Sequence, residues 1–311
     1  MTSPARLNPN YGRGEVTLDD LSGPIDSNEL SERIGTLFSR PGFKIPMLPA
    51  MAVEVMKTSR KPQLRIDELV EVIARDAMIA ADVLKLARSP LYATLTPART
   101  LKEAALRLGI SGVQSVVLET LQRVIFKSPT MGPALDAVRR HGATVAHLSR
   151  LVARQTSIDA EFAFLCGLLH DIGLSAGLVA LGQDQAAVLD PHQWAALEQT
   201  HERAAGLLAR LWQLAPEVAL VLAHHHATRS ELPKVHPAVA VVAIAERLAS
   251  DHGQGLVQLL AKAKLPLLQS DEIPEPSRTG AARAVLGLND ATFTQLHKSA
   301  GALLEHLAQA G

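Results

Sequence analysis

The sequence predicts an all-α fold, and three observations lead there. Apolar residues recur at helical spacing along most of the chain. No convincing stretch alternates with period two. Apolar side chains make up 47% of the 311 residues, enough to bury a large core. Taken in order, residues 1 to about 27 are polar and rich in Pro, Gly, Asn and Asp, and read as a flexible or loosely docked arm. Ser27 to Phe38 suits a short helix with Asp26 or Ser27 as its cap. The stretch Pro41 to Pro49 holds three prolines and a glycine, which no regular helix accommodates, so a loop is expected there.

From Ala50 to Phe126 the period is helical throughout. Leu69, Val72, Ile73 and Asp76 share one face, and Ile79, Val83 and Leu86 share another. Asp67 is placed as a first-turn acid, where the helix dipole favours negative charge. Ser89-Pro90 and Thr96-Pro97 interrupt the helices. Gly109 is expected to end a helix that begins near Thr100, and Ser111 to cap the next. Lys127 to Pro133, with two prolines and a glycine, is the best internal boundary. Beyond it, helices are expected over about 134–156, 159–170, 193–213, 215–226 and 236–250. Asp290 is the expected cap of a last helix to Ala308, after a polar stretch from Gln269 to Gly280.

Charge and composition narrow the function. Thirty-one basic residues face 31 acidic ones, and aromatics are 3%, so a dedicated nucleic-acid binder is not expected. The single Cys166 fits a reducing compartment. The longest apolar run considered, Pro237 to Ala245, is far short of the roughly 20 residues of a membrane helix, and no apolar leader opens the chain. A cytoplasmic protein without membrane contact is the expectation.

The histidines divide the chain: all 12 lie at or beyond His141. His141 shares the apolar stripe of Val145, Leu148 and Val152. His201 shares that of Leu197, Ala204, Leu208 and Leu211. Val218 and Leu222 lead to His225, and Val239, Val242 and Ala243 lead to Glu246. Between them Phe162 to Gly173 is apolar all round, as a central buried helix would be, and ends in His170-Asp171 and a glycine stop. A buried aspartate without a partner costs several kcal/mol or takes up a proton. A cation removes that difficulty, and imidazole with carboxylate suits Fe, Mn or Zn. Any one inward histidine is more often a hydrogen-bonded core residue than a ligand. The joint order, His, His-Asp, His, His-His, acidic, is what carries the metal reading. His147, His192, His236, His252, His297 and His306 are assigned to the surface or to caps, and His224 to the tandem without ligation.

That order is similar to the signature of the HD superfamily of metal-dependent phosphohydrolases. Over roughly residues 43–250 the chain resembles, more narrowly, the HDOD family of bacterial signalling proteins. Ile45-Pro46-Met47-Leu48-Pro49 resembles the family's opening proline motif. Ile73 to Leu84 resembles its "IxxDPxLxxxLL" segment, with Ala77 in place of proline. Leu86 to Ser89 resembles "LANS", with Arg88 in place of asparagine, and Ala104 to Gly109 resembles "AIxxLG". Gly167 to Gly173, His201 to Gly206, Leu211-Trp212 and His225-His226 complete the match.

The resemblance implies two helical lobes, over 43–130 and 131–253, the second HD-like; outside it, a flexible or loosely docked arm over 1–42 and a helical extension over 254–311 that covers the second lobe are expected. It implies a ligand set of His141, His170, Asp171, His201, His225, His226 and Glu246 for one or two divalent ions (Fe, Mn, Zn or Mg). Glu246 stands where HD enzymes usually carry aspartate, one bond or roughly 1.5 Å longer. Leu174 stands where the related HD-GYP phosphodiesterases carry lysine, and Ala227 to Glu231 lacks their Gly-Tyr-Pro motif, which argues against cyclic-diguanylate hydrolysis by that route.

Two functions follow from the resemblance. The first is a signalling output or scaffold module that acts through a protein partner and keeps a metal site. The second is a phosphohydrolase for a nucleotide or cyclic dinucleotide, in which Asp171 is catalytic and Arg229 or Lys234 neutralises substrate charge.

Overall fold

The computed structural model describes residues 47, 49–58, 64–89, 92, 96–182, 189, 191–265 and 276–310. The expected arm, the Ser27–Phe38 helix and most of the proline-rich loop lie outside these residues. Within them every regular element is helical, as the periodicity predicts.

Four helices form a first group: α1 (Ala50–Thr58), α2 (Ile66–Ile73), α3 (Ala77–Ala87) and α4 (Leu101–Ile125). Leu69, Val72, Ile73, Ile79 and Val83 are buried among them, which is the predicted face. Asp76 does not continue that face. It is the N-cap of α3, accepting from the backbone N–H groups of Met78 and Ile79 at 2.9 and 3.1 Å. Thr100 caps α4 through the N–H of Glu103. The helix kinks at Gly109 (φ 70°, ψ 176°), where the sequence predicts a break. Arg88 donates from Nε to the Ala98 carbonyl at 2.7 Å, joining the end of α3 to the residues that lead into α4. Gln122 of α4 donates to the Leu168 carbonyl at 3.1 Å, joining the first group to the second beside His170.

The second group is centred on α6 (Ala160–Leu169) and α7 (Ile172–Leu181). Around them lie α5 (Gly132–Ala153), α8 (Pro191–Leu211), α9 (Pro216–Leu222) and α10 (Ala238–Asp251). A short 3-10 turn, Leu232–Lys234, precedes α10. α5 packs on α6, α8 on α7, and α9 against both α6 and α8, while α10 closes over α5 and α6. Leu168, Leu169, Leu174 and Leu178 are each at most 2% exposed, and each such side chain contributes about 1.5–3 kcal/mol by burial. Phe162 and Leu165 remain half-buried.

Two readings of this region need correction. Gly173 does not stop a helix. The chain turns at His170-Asp171 and restarts at once as α7, with Asp171 at its N-cap position. A Cβ at Gly173 would lie 2.0 Å from the His201 carbonyl oxygen and 2.8 Å from its carbon, so only glycine allows α7 to lie on α8. The stretch Ala160–Leu181 is also apolar enough by composition to suggest a membrane span, which the sequence reading overlooked. It consists of two ten-residue helices, mostly buried, and each is far too short to cross a bilayer.

Beyond α10 come α11 (Leu256–Lys262), α12 (Pro276–Leu286) and α13 (Asp290–Ala310). α11 and α13 pack on α5, and α12 and α13 on α10. The helix from Pro276 replaces the end of the polar stretch expected to Gly280. The side chain that caps α13 is Asn289, not Asp290: its Oδ1 accepts from Thr292 N at 2.8 Å.

Two glycine substitutions separate close packing from helix propensity. Gly173→Ala forces α7 off the His201 backbone and should lower stability by about 2–3 kcal/mol. Gly280→Ala has nothing within 4 Å of the new Cβ and should raise it by about 0.5–1 kcal/mol. Urea-unfolding midpoints of the two variants measure both.

Candidate metal centre

The turn between α6 and α7 places Asp171 at the middle of the second group, 5% exposed. Its two oxygens face different imidazoles. Oδ1 lies 3.5 Å from Nε2 of His201 on α8 and 3.5 Å from Nε2 of His225, just past α9. Oδ2 lies 3.2 Å from Nε2 of His170 and 3.8 Å from Nε2 of His141 on α5. Glu246 on α10 brings Oε1 to 3.9 Å from His170 Nε2.

The seven residues singled out in the sequence fall into two donor groups. One is Asp171, His201, His225 and His226; the other is His141, His170 and Glu246. Within each, the donor atoms all lie within 4.8 Å of one another. His226 packs its ring on those of His201 and His225, and its backbone N–H donates to Glu202 Oε1 at 2.8 Å.

The orientation of the rings is fixed from behind. Nδ1 of His170 donates to the Gly167 carbonyl at 2.8 Å, that of His201 to Glu198 at 2.5 Å, and that of His225 to Leu222 at 2.7 Å. Each carbonyl belongs to the residue three earlier on the same helical turn. Nδ1 of His141 donates to the Gln254 carbonyl, 3.0 Å away, in the turn after α10. A carbonyl only accepts, so each Nδ1 must carry the proton, and a neutral ring then presents a bare lone pair at Nε2. Four such nitrogens point at one carboxylate.

Two of them, on His201 and His225, lie 3.0 Å apart. Nε2 of His170 is buried and makes no hydrogen bond, despite the nearby Asp171 oxygen. Buried polar groups are seldom left so. A cation with bonds of about 2.1 Å holds neighbouring donors about 3.0–3.4 Å apart, which is close to the spacing around Asp171. The donor set therefore fits a divalent ion of the Zn, Mn or Fe kind.

Without a cation, protons carry the balance. Burial raises the energy of the Asp171 charge, but His170, His225 and His201 around it hold its carboxyl well below the usual range. Burial likewise opposes the His170 cation, yet Asp171 and Glu246 prevail and raise its pKa to about 9. Burial, with the neighbouring imidazoles, lowers His141, His201 and His226.

Other histidines keep away from the centre. His224 and His306 are exposed, and His236, half-buried just before the Pro237 N-cap position of α10, accepts from Ala238 N at 3.1 Å. His252 and His297 stack on each other. His147 is not on the surface as expected. It sits half-buried, edge-on to Phe164, and burial pushes its pKa down to about 3. The His192 side chain lies outside the described residues.

Sequence reasoning missed two contributors. Gln254 acts through its backbone, which no residue pattern reveals. Arg278 enters the centre from α12 and pairs with Glu246 at 3.2 Å, whereas Arg229 and Lys234 are exposed.

The family model of the HDOD domain matches residues 45–228, more than half of the chain. The chain belongs to the HDOD family. An HDOD domain protein from Geobacter sulfurreducens aligns with 91% of this HDOD chain and 96% of its own, with a TM-score of 0.65 and 21% identity. A candidate metal-dependent phosphohydrolase from Shewanella amazonensis covers 83% of this chain and 98% of its own, with a TM-score of 0.59 and 21% identity. Both likenesses show the shared fold. Ribonuclease Y of Thermus thermophilus is 33% identical over 125 residues, 40% of this chain and 18% of that protein. The HDOD chain spans less than half the length of the curated relatives it matches first.

The His170–Asp171 pair predicts how the metal-free protein responds to pH. The folded pKa of His170, about 9, exceeds its unfolded value of 6.5. Its contribution is therefore complete below pH 6.5 and is lost as pH rises through 9. The lowered histidines act below that window, because their unfolded forms bind protons that the folded forms refuse. The unfolding free energy of metal-free protein, from urea titration, should thus fall between these pH values, by about 3 kcal/mol. In Asp171→Asn that slope should become shallower, because only Glu246 then remains to favour the His170 cation.

Proposed function

We propose that this HDOD chain is a signal-transduction output module that carries a divalent-metal centre in its second helical group and acts through protein partners. One observation carries the reading: four inward imidazoles, each fixed by a carbonyl behind it, converge on the single carboxylate of Asp171. His141, His170, Asp171, His201 and His225 are all at most 5% exposed. A donor set so enclosed suits an ion that is retained for structure or sensing, because catalytic sites keep an open position.

The first helical group supports a partner surface. It has none of the ligand residues, and Met47, Met78, Leu106 and Val124 expose large apolar side chains in or beside it. Scattered singly these would mean little. Four of the five such residues among those described lie in this half. Met78→Asp and Leu106→Asp at these exposed positions should therefore weaken partner binding without altering metal content.

A second reading, hydrolysis of a nucleotide or cyclic dinucleotide, is favoured by the split orientation of Asp171. An aspartate whose two oxygens face separate donor groups suits a bridging ligand between two ions. The match to ribonuclease Y points to the same phosphodiester chemistry. A bound ion would acidify water for attack on phosphorus, while Asp171 and the imidazoles hold the donor geometry.

The test is to strip the full chain of metal, reload it with Zn2+, Mn2+ or Fe2+, and measure metal content beside a screen of phosphodiesters and cyclic dinucleotides. The output-module reading expects stoichiometric metal, lost in Asp171→Ala, and no turnover. Metal-dependent turnover that Asp171→Ala abolishes would replace it with the hydrolase. No bound metal would overturn both.

A further inference from the structure

Arg278 lies outside the matched family segment, on α12, and yet its guanidinium reaches the metal centre. The side chain is 12% exposed. Nε donates to the Ala227 carbonyl at 3.2 Å, Nη2 donates to the His225 carbonyl, and Nη1 donates to Glu246 Oε2 at 3.2 Å. Two backbone carbonyls thus fix the cation at the tandem histidines, and its charge is spent on one carboxylate of the centre. Arginine keeps that charge at any working pH.

The two donor groups are unequal as a result. The first offers Asp171 with His201, His225 and His226, and no Arg or Lys ion pair is found at Asp171 among the described residues. The second offers His141, His170 and Glu246 and shares Asp171 through Oδ2, 3.2 Å from His170 Nε2, and its own carboxylate, Glu246, is already paired. A dication there would sit one carboxylate away from a fixed positive charge, in a site where burial weakens screening. The charge balance leads to the same result. Asp171, Glu246 and Glu202, whose Oε1 lies 3.9 Å from His225 Nδ1, leave two negative charges beside one guanidinium. A single dication neutralises these, and a second leaves two positive charges.

Resting on the metal reading above, we propose that Arg278 restricts this centre to one tightly bound divalent ion. The ion belongs to Asp171, His201, His225 and His226, and the guanidinium supplies Glu246 with the counter-charge that a second ion would supply. Arg278 is therefore a positioning residue that sets metal stoichiometry from the C-terminal extension.

The experiment is Mn2+ titration of the metal-free full chain, with free Mn2+ read by electron paramagnetic resonance. The wild type should bind one ion tightly and a second at least about 100-fold more weakly. Arg278→Gln should tighten the second ion about 10–100-fold, the range for altered partners of metal ligands, and leave the first within about threefold. Arg278→Lys, which keeps the charge, should behave like the wild type.

Two equally tight ions in the wild type would overturn the inference and leave the metal reading standing. An unchanged second affinity in Arg278→Gln with a lowered Tm would also overturn it, because Arg278 would then be only a clamp for α12. Absence of bound Mn2+ would remove the metal reading and the inference together. If Arg278→Gln does not fold, the wild-type stoichiometry and the Lys variant still decide.

Discussion

The carboxylate of Asp171, surrounded by four imidazole nitrogens that cannot all donate to it, is the constraint around which this molecule is arranged. Each ring is turned inward because a backbone carbonyl takes its other proton. The lone pairs that remain would repel one another in an empty core. A dication would convert that repulsion into coordination, which would give a fold-level reason for keeping so many polar groups at 5% exposure or less. Three of the rings use a carbonyl three residues earlier on their own helical turn, so the tautomer is set locally. The meeting of the rings is set by packing.

That packing depends on the break at His170-Asp171. His170 keeps helical geometry and the chain leaves it only at Asp171 (φ −94°, ψ 15°), so the break sets the direction of α7. It lays α7 on α8, and Gly173 lets α7 touch the backbone of His201 itself. α5 and α10 then deliver His141 and Glu246 from the opposite side. The extension beyond the matched segment adds more than cover. Gln254 fixes the His141 ring, and Arg278 occupies one oxygen of Glu246. The chemistry of the centre is thus shared between the family domain and sequence that lies outside it.

Much of this is visible in the residues themselves. His141, His201, His225 and Glu246 fall on apolar stripes, and an ionisable side chain on such a stripe must find a partner inside. The Gly109 kink is equally plain, as is the all-helical class. What periodicity does not reveal is where a doubly apolar segment bends, since α6 and α7 are hydrophobic on every face and offer no stripe to change phase. Nor does it reveal Arg278, whose helix begins in a polar stretch with a weak apolar pattern and whose partners are mostly carbonyls. His147 lies off the main apolar stripe, and its half-burial against Phe164 is a tertiary contact that helical spacing does not reveal.

The most direct measurement of the central claim is long-range proton–nitrogen NMR of the imidazoles in the zinc-loaded protein. The account predicts that His141, His170, His201 and His225 each keep a proton on Nδ1. At least His201 and His225 should show proton-free Nε2 resonances displaced by zinc. A ring of this set protonated at Nε2 in place of Nδ1, or resonances of His201 and His225 that ignore zinc, would contradict the convergence on Asp171.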